Sequence, residues 1–121
     1  MSTREALPLT PAGSCCTPVT ADVLTADDAA SMAVAFKALG DPTRLRLLSI
    51  VAASEGDEAC VCDLTEPIGL SQPTVSHHLK ILMDAGYLTR SKRGTWAYYK
   101  LVPGSLDRVA ALLATATAST A

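Results

Sequence analysis

Aromatic residues are scarce in this chain. They make up 4% of its 121 residues: one Trp, one Phe and three Tyr. Apolar residues still reach 49%, so Leu, Val and Ala must fill the core, and the length suits one compact domain. No apolar run approaches the roughly 18 residues of a membrane span, so no membrane partner is expected. The opening MSTREALPLTPAGSCC carries an early acidic residue and no apolar stretch. No secretory signal is therefore expected, and a cytoplasmic location follows by default. There is no Cys-x-x-Cys, no Gly-rich anion loop and no βαβ pattern, which speaks against an enzyme such as a thiol oxidoreductase.

An excess of positive charge is also missing. The net charge is −2, unlike that of a typical nucleic-acid binder, but the total conceals a polarity. Residues 54–66 hold Glu55, Asp57, Glu58, Asp63 and Glu66 with no Lys or Arg. Residues 71–100 hold Lys80, Arg90, Lys92, Arg93 and Lys100 against Asp84 alone, five cations to one carboxylate and a local balance of +4. A basic half on an acidic protein is an electrostatic footprint for nucleic acid.

What is present falls into an ordered series. Residues 1–24, with Pro8, Pro11, Gly13 and Pro18, read as a flexible N-terminal arm bearing Cys15 and Cys16. Thr25 is the expected cap of a first helix, with Asp28 three residues on; Met32, Phe36 and Leu39 follow at helical spacing. Gly40 ends this helix and Asp41-Pro42 opens a second, about 42–53, with Leu45, Leu48 and Val51 or Ala52 on one face. ASEGDE reads as a polar loop. A short helix over roughly 60–67 contains Cys60 and Cys62, IGLS makes a turn, and Ser71 caps a helix over about 72–85. Pro73 falls in its first turn, Val75, Leu79 and Leu82 form its buried stripe, and Gly86 closes it. Tyr87, Thr89, Trp96, Tyr98, Tyr99 and Leu101 favour two strands with Arg93-Gly94 as the turn between them. A last helix opens at Ser105, with Leu106, Val109, Leu112 and Leu113 apolar. The expected fold is mainly α with a β-hairpin wing, the domain running over 25–117.

A short helix, a Gly turn and a second helix bearing small polar residues form a helix-turn-helix plan. With Val75 at the centre of the buried face, His77 points away from it, flanked by Thr74, Ser76 and Lys80, with Gln72 in the first turn. These side chains can meet base edges and phosphates. His78 falls nearer the core and reads as a hydrogen-bonded packing residue. Arg90, Lys92 and Arg93 read as a wing that contacts the DNA backbone.

The four cysteines form two tight pairs, Cys15/Cys16 and Cys60/Cys62. Clustered thiols in a reducing compartment point to metal or redox chemistry. A helix N-terminus lowers thiol pKa, and soft thiolates select thiophilic ions. Residues i and i+2 of a regular α-helix lie about 200° apart, so Cys60 and Cys62 can share an ion only from an irregular first turn. An ion held there would fix or distort the start of the helix that supports the DNA-reading one.

FKALGDPTRLRLLSIV, EACVCDL, LSQPTVSHHLKIL and AGYLTRSKRGTWAYYKL together resemble the ArsR/SmtB family of winged-helix metal-sensing repressors, over about residues 30–103. The resemblance implies a winged helix-turn-helix homodimer built on the first and last helices. It implies a repressor of double-stranded operator DNA that lets go when metal binds, with Gln72, Thr74, Ser76 and His77 in the recognition role. It also implies a thiolate sensor. Some arsenic sensors of the family carry a third Cys three residues after the pair; here that position is Thr65. Others borrow thiols from an N-terminal arm, the role open to Cys15 and Cys16. From Leu24 back to Cys16 the arm can span roughly 25 Å, against a domain radius of gyration of about 13–14 Å. The Asp/His site of other members is not matched, since Asp107 stands on the last helix without histidines. The resemblance favours As(III) or Sb(III) as inducer. Cd(II) or Pb(II) on the same four cysteines, or a thiol redox sensor, are the alternatives.

Overall fold

The computed structural model describes residues 18–114. Five helices and three strands follow in the order α1 (Ala26–Leu39), α2 (Pro42–Ala53), a short 3₁₀ turn (Glu55–Asp57), β1 (Glu58–Cys60), α3 (Val61–Ile68), α4 (Gln72–Asp84), β2 (Leu88–Arg93), β3 (Trp96–Leu101) and α5 (Ser105–Leu113). No helix among the described residues is long and apolar enough to cross a membrane.

The caps of α1 and α2 are the ones the sequence announces. Thr25 Oγ1 accepts from the Asp28 N–H at 3.0 Å. Asp41 Oδ2 accepts from the N–H groups of Thr43 (2.9 Å) and Arg44 (3.2 Å), with Pro42 in the first turn. Each satisfies backbone donors that have no partner within the helix. The Arg44 N–H holds the Asp41 carboxyl below the usual carboxylate range. Desolvation opposes that shift, and the Arg44 charge, the Thr43 N–H and His78 add to it.

The core gathers Leu47, Leu48 and Val51 of α2, Val61 and Leu64 of α3, Val75, Leu79 and Leu82 of α4, and Tyr87, Leu88 and Tyr99 of the hairpin. Leu45 departs from expectation. It is exposed, and Leu47 takes the buried place on α2. In RLRLL the apolar residues outnumber the inward positions, and contacts from other elements select among them. Tyr87 is fully buried, and its hydroxyl donates to the Ala35 carbonyl of α1 at 2.8 Å. Burial pushes its phenol up to about 12.

The segment before the cysteine pair differs most from expectation. Residues 55–60 are a 3₁₀ turn and a strand, not a polar loop running into a helix. Gly56 and Asp57 both take positive φ (71° and 55°) and reverse the chain. β1 then pairs antiparallel with β3, Glu58 opposite Lys100, Ala59 opposite Tyr99 and Cys60 opposite Tyr98. The sheet order is β1-β3-β2. Three residues are too few to show a strand period, and their partners lie about 40 residues away in sequence. The hairpin turn is Gly94-Thr95, one residue later than expected, with Gly94 at φ 65°.

Before α1, the Val19 N–H donates to the Leu112 carbonyl at 2.7 Å, and Thr20 Oγ1 donates to the Ala114 carbonyl at 3.3 Å. The chain entering the domain is therefore tied to the end of α5. Cys15 and Cys16 lie outside the described residues.

Candidate DNA interface and thiol pair

α3 and α4 form the helix-turn-helix. Gly69, in the left-handed region at φ 77°, ends α3, and Ser71 opens α4 by accepting from the Thr74 N–H at 3.4 Å. The buried stripe of α4 is Val75, Leu79 and Leu82. Gln72, Thr74, His77 and Lys80 consequently face solvent, and Ser76 is half-buried. Two of these groups already have partners. The Ser71 hydroxyl donates to Thr74 Oγ1 at 2.9 Å, and Lys80 Nζ pairs with Asp84 one turn on, at 2.9 Å.

His78 is a packing residue. Its Nδ1 lies 3.1 Å from Arg44 Nη1. A guanidinium can only donate, so Nδ1 is the acceptor in this contact. Arg44 also donates from Nε to the Ala38 carbonyl (2.6 Å) and from Nη2 to the Lys37 carbonyl (3.2 Å). One half-buried fork thus ties the end of α1 to the back of the recognition helix.

The wing separates its cations by face. Directly opposed residues of an antiparallel pair share a face, and faces alternate along a strand. Arg90 opposite Tyr99 and Lys92 opposite Ala97 lie on the α4 side of the sheet. There they line a polar cleft of about 170 Å³ with Gln72, Ser76 and Thr95. Arg93, opposite Trp96, belongs to the other face. Its Nη2 donates to Glu58 Oε2 at 2.6 Å, and its guanidinium sits 4.4 Å over the Tyr98 ring. The three wing cations expected to act together are thus divided two and one. Glu58, Arg44 and Thr95 were not singled out from the sequence. Pairing register places the first and the last, and nothing local marks it; DPTR in the α2 cap offered a faint signal for Arg44.

The thiol pair answers its geometric difficulty through Cys60. This residue is not helical: at φ −72° and ψ 146° it ends β1 and caps α3. Its Sγ accepts from the Cys62 N–H at 3.2 Å. Cys62 sits in the first helical turn, the two Cα atoms are 5.2 Å apart, and the two sulfurs are paired as a disulfide. Because Cys60 stands outside the helix, the 200° separation of i and i+2 does not apply. Cys60 is buried at 4% exposure whereas Cys62 is exposed. Thr65, where a third local thiol would stand, turns its hydroxyl back to the Val61 carbonyl at 2.8 Å. Among the described residues no cluster of three or more His, Cys, Asp or Glu is arranged to hold an ion. Once reduced, two converging sulfurs fit part of a trigonal thiolate site, and the chain's other thiols are Cys15 and Cys16.

Residues 41–90 match the family model described as bacterial regulatory protein, arsR family. An uncharacterised HTH-type transcriptional regulator of Methanocaldococcus jannaschii is 42% identical over 64% of this chain and 85% of its own length. The arsenic resistance transcriptional regulator ArsR1 of Pseudomonas putida is 45% identical over 66% of this chain, and the match spans 61% of that relative. A putative arsenical resistance operon repressor of Halobacterium salinarum is 39% identical over 72% of this chain and 71% of its own length. Among solved structures, the AntR antimony-specific transcriptional repressor superposes with a TM-score of 0.62 at 34% identity, covering 74% of this chain and 79% of that one. A homodimeric winged helix-turn-helix DNA-binding domain from Mycobacterium bovis gives 0.59 at 26% identity, covering 75% and 84%.

Proposed function

The chain belongs to the arsR family of DNA-binding transcriptional regulators, and from that premise we propose that it is a homodimeric repressor released from its operator when Cys60 and Cys62 bind As(III) or Sb(III). The observation that carries this reading is the convergence of the two sulfurs at the cap of α3, the helix packed under the recognition helix. Relatives named for arsenical resistance and a structural neighbour named for antimony support the choice of ion.

Gln72, Thr74, Ser76 and His77 face the major groove in this reading, with Lys80 at the edge of the contact. Arg90 and Lys92 hold phosphates from the cleft beside α4. Apolar side chains left in solvent on the first and last helices, Val34, Leu106 and Leu113, support a dimer built there. A two-fold dimer of this kind binds half-sites about 34–36 Å apart. Pyramidal As(III) takes three thiolates, so Cys15 or Cys16 completes the site. Ligation through Cys60 Sγ would act on the residue that both ends β1 and caps α3. A hundredfold loss of operator affinity requires about 2.7 kcal/mol of coupling.

The contact between the sulfurs also favours a second reading, in which oxidation of the thiols replaces ion binding. Operator binding of the reduced protein under anaerobic conditions separates them. Arsenite or antimonite is expected to lower affinity at least about a hundredfold, Cd(II) and Pb(II) less, and Zn(II) little. A Cys60→Ser/Cys62→Ser double variant is expected to bind DNA and stay bound. Normal release by that variant would falsify the site, and release only on exposure to a thiol oxidant would select the redox reading.

A further inference from the structure

The thiol strand also reaches the wing. β1 is three residues long, with Cys60 at one end and Glu58 at the other. Both lie opposite residues of β3 on one face, Glu58 at Lys100 and Cys60 at Tyr98. Arg93 comes to that same face from β2, crosses the Tyr98 ring at 4.4 Å and ends on Glu58 Oε2 at 2.6 Å. Tyr98 thus stands between Cys60 and the guanidinium of a wing cation. Glu58 retains only 22% side-chain exposure, against 56% for Arg93, so the carboxylate is the more enclosed partner and the arginine the more accessible one. Arg90 and Lys92, on the opposite face, have no such tether among the described residues.

We propose that Glu58 is a positioning residue for the wing. It competes with operator phosphate for Arg93, and its place on the same three-residue strand as Cys60 makes that competition answer to the thiol site. Arg93 has one guanidinium to give. While it lies on Glu58 and Tyr98 it is turned away from the face that carries Arg90 and Lys92. To meet a phosphate it must leave the carboxylate, and the cost of leaving depends on how firmly β1 is seated against β3. Ligation at Cys60 fixes the end of β1 and strengthens the hold on Arg93. This inference rests on the thiolate-responsive repressor reading above.

A double-mutant cycle in operator binding tests it, using Glu58→Gln and Arg93→Gln in the full-length chain. Glu58→Gln preserves shape and frees Arg93. Operator affinity is expected to rise roughly threefold to fivefold, and the salt dependence of log K to steepen by about one unit for the added phosphate contact. In the Arg93→Gln background the same substitution is expected to change neither. A rise of equal size in that background overturns the proposal, because it would report only the loss of a negative charge near DNA. In the second arm, Glu58→Gln is expected to bind arsenite with unchanged stoichiometry but to lose roughly threefold of the arsenite-induced drop in affinity. A basal rise with an unchanged drop overturns the link to Cys60. If the unaltered protein keeps its operator in arsenite, the thiolate-sensor reading fails first, and the basal cycle still decides whether Glu58 restrains Arg93.

Discussion

At the residue scale, the decisive placements are of single polar groups. Tyr87 is buried among the core side chains yet has its hydroxyl satisfied by Ala35. Tyr87→Phe removes this buried hydrogen bond and is expected to cost about 1 kcal/mol in denaturant unfolding. The phenol also sets a pH dependence. Its folded pKa is raised from 10.0 to about 12 by burial, so between these values the unfolded chain ionises while the folded chain does not. The unfolded state then binds fewer protons, and stability falls as pH rises through this window. Below about pH 10 the group adds no slope. Tyr87→Phe is expected to flatten the stability profile between pH 10 and 12, a comparison of urea midpoints across that range. Cys60 carries a second role at this scale: its sulfur caps α3 before any ligand arrives. Cys60→Ser retains an acceptor at the cap, so it is expected to keep the fold and operator binding while losing arsenite-driven release.

At the scale of elements, the helix-turn-helix depends on one backbone conformation. Gly69 at φ 77° lets α3 stop and the chain turn into α4. A Cβ there would meet nothing within 4 Å, so the expected cost of Gly69→Ala is conformational alone, about 1 kcal/mol in thermal or denaturant unfolding. The hairpin supplies a second comparison. Arg90 and Lys92 share the α4 face and its polar cleft. Removing either cation is expected to weaken binding to operator and to unrelated duplex alike and to reduce the salt slope by about one. Substitution of Gln72 or His77 is expected instead to cost about 1–3 kcal/mol on the operator and to relax discrimination between sites. Filter binding or anisotropy at several salt concentrations separates the two classes.

At the scale of the whole molecule, a chain of net charge −2 presents its cations through the arrangement of its parts. Four carboxylates of the acidic segment lie in the turn, β1 and early α3, and Glu58 crosses the apparent boundary to hold a wing arginine. In the proposed dimer, the exposed apolar side chains Leu106 and Leu113 on α5 form the surface that meets a second copy. Leu113→Asp is expected to shift sedimentation toward monomer. Operator affinity is expected to fall steeply with it, because one half-site offers only one set of phosphate contacts.

Much of this was legible in the sequence, for reasons of range. The caps of α1, α2 and α4, the α4 stripe of Val75, Leu79 and Leu82, the polar residues opposite them and the hairpin all follow from neighbours within a few positions, where period and capping chemistry act. The two thiol pairs and the missing third thiol at Thr65 were equally plain. Tertiary structure alone decided three things. It chose Leu47 over Leu45 for the core, because both satisfy a local apolar pattern and only packing chooses between them. It made Cys60 the end of a strand, because β1 exists through its pairing with β3 and has no period of its own. It took Arg93 from the face of Arg90 and Lys92, because side-chain direction in a strand changes with each residue and only the register shows which face meets which partner.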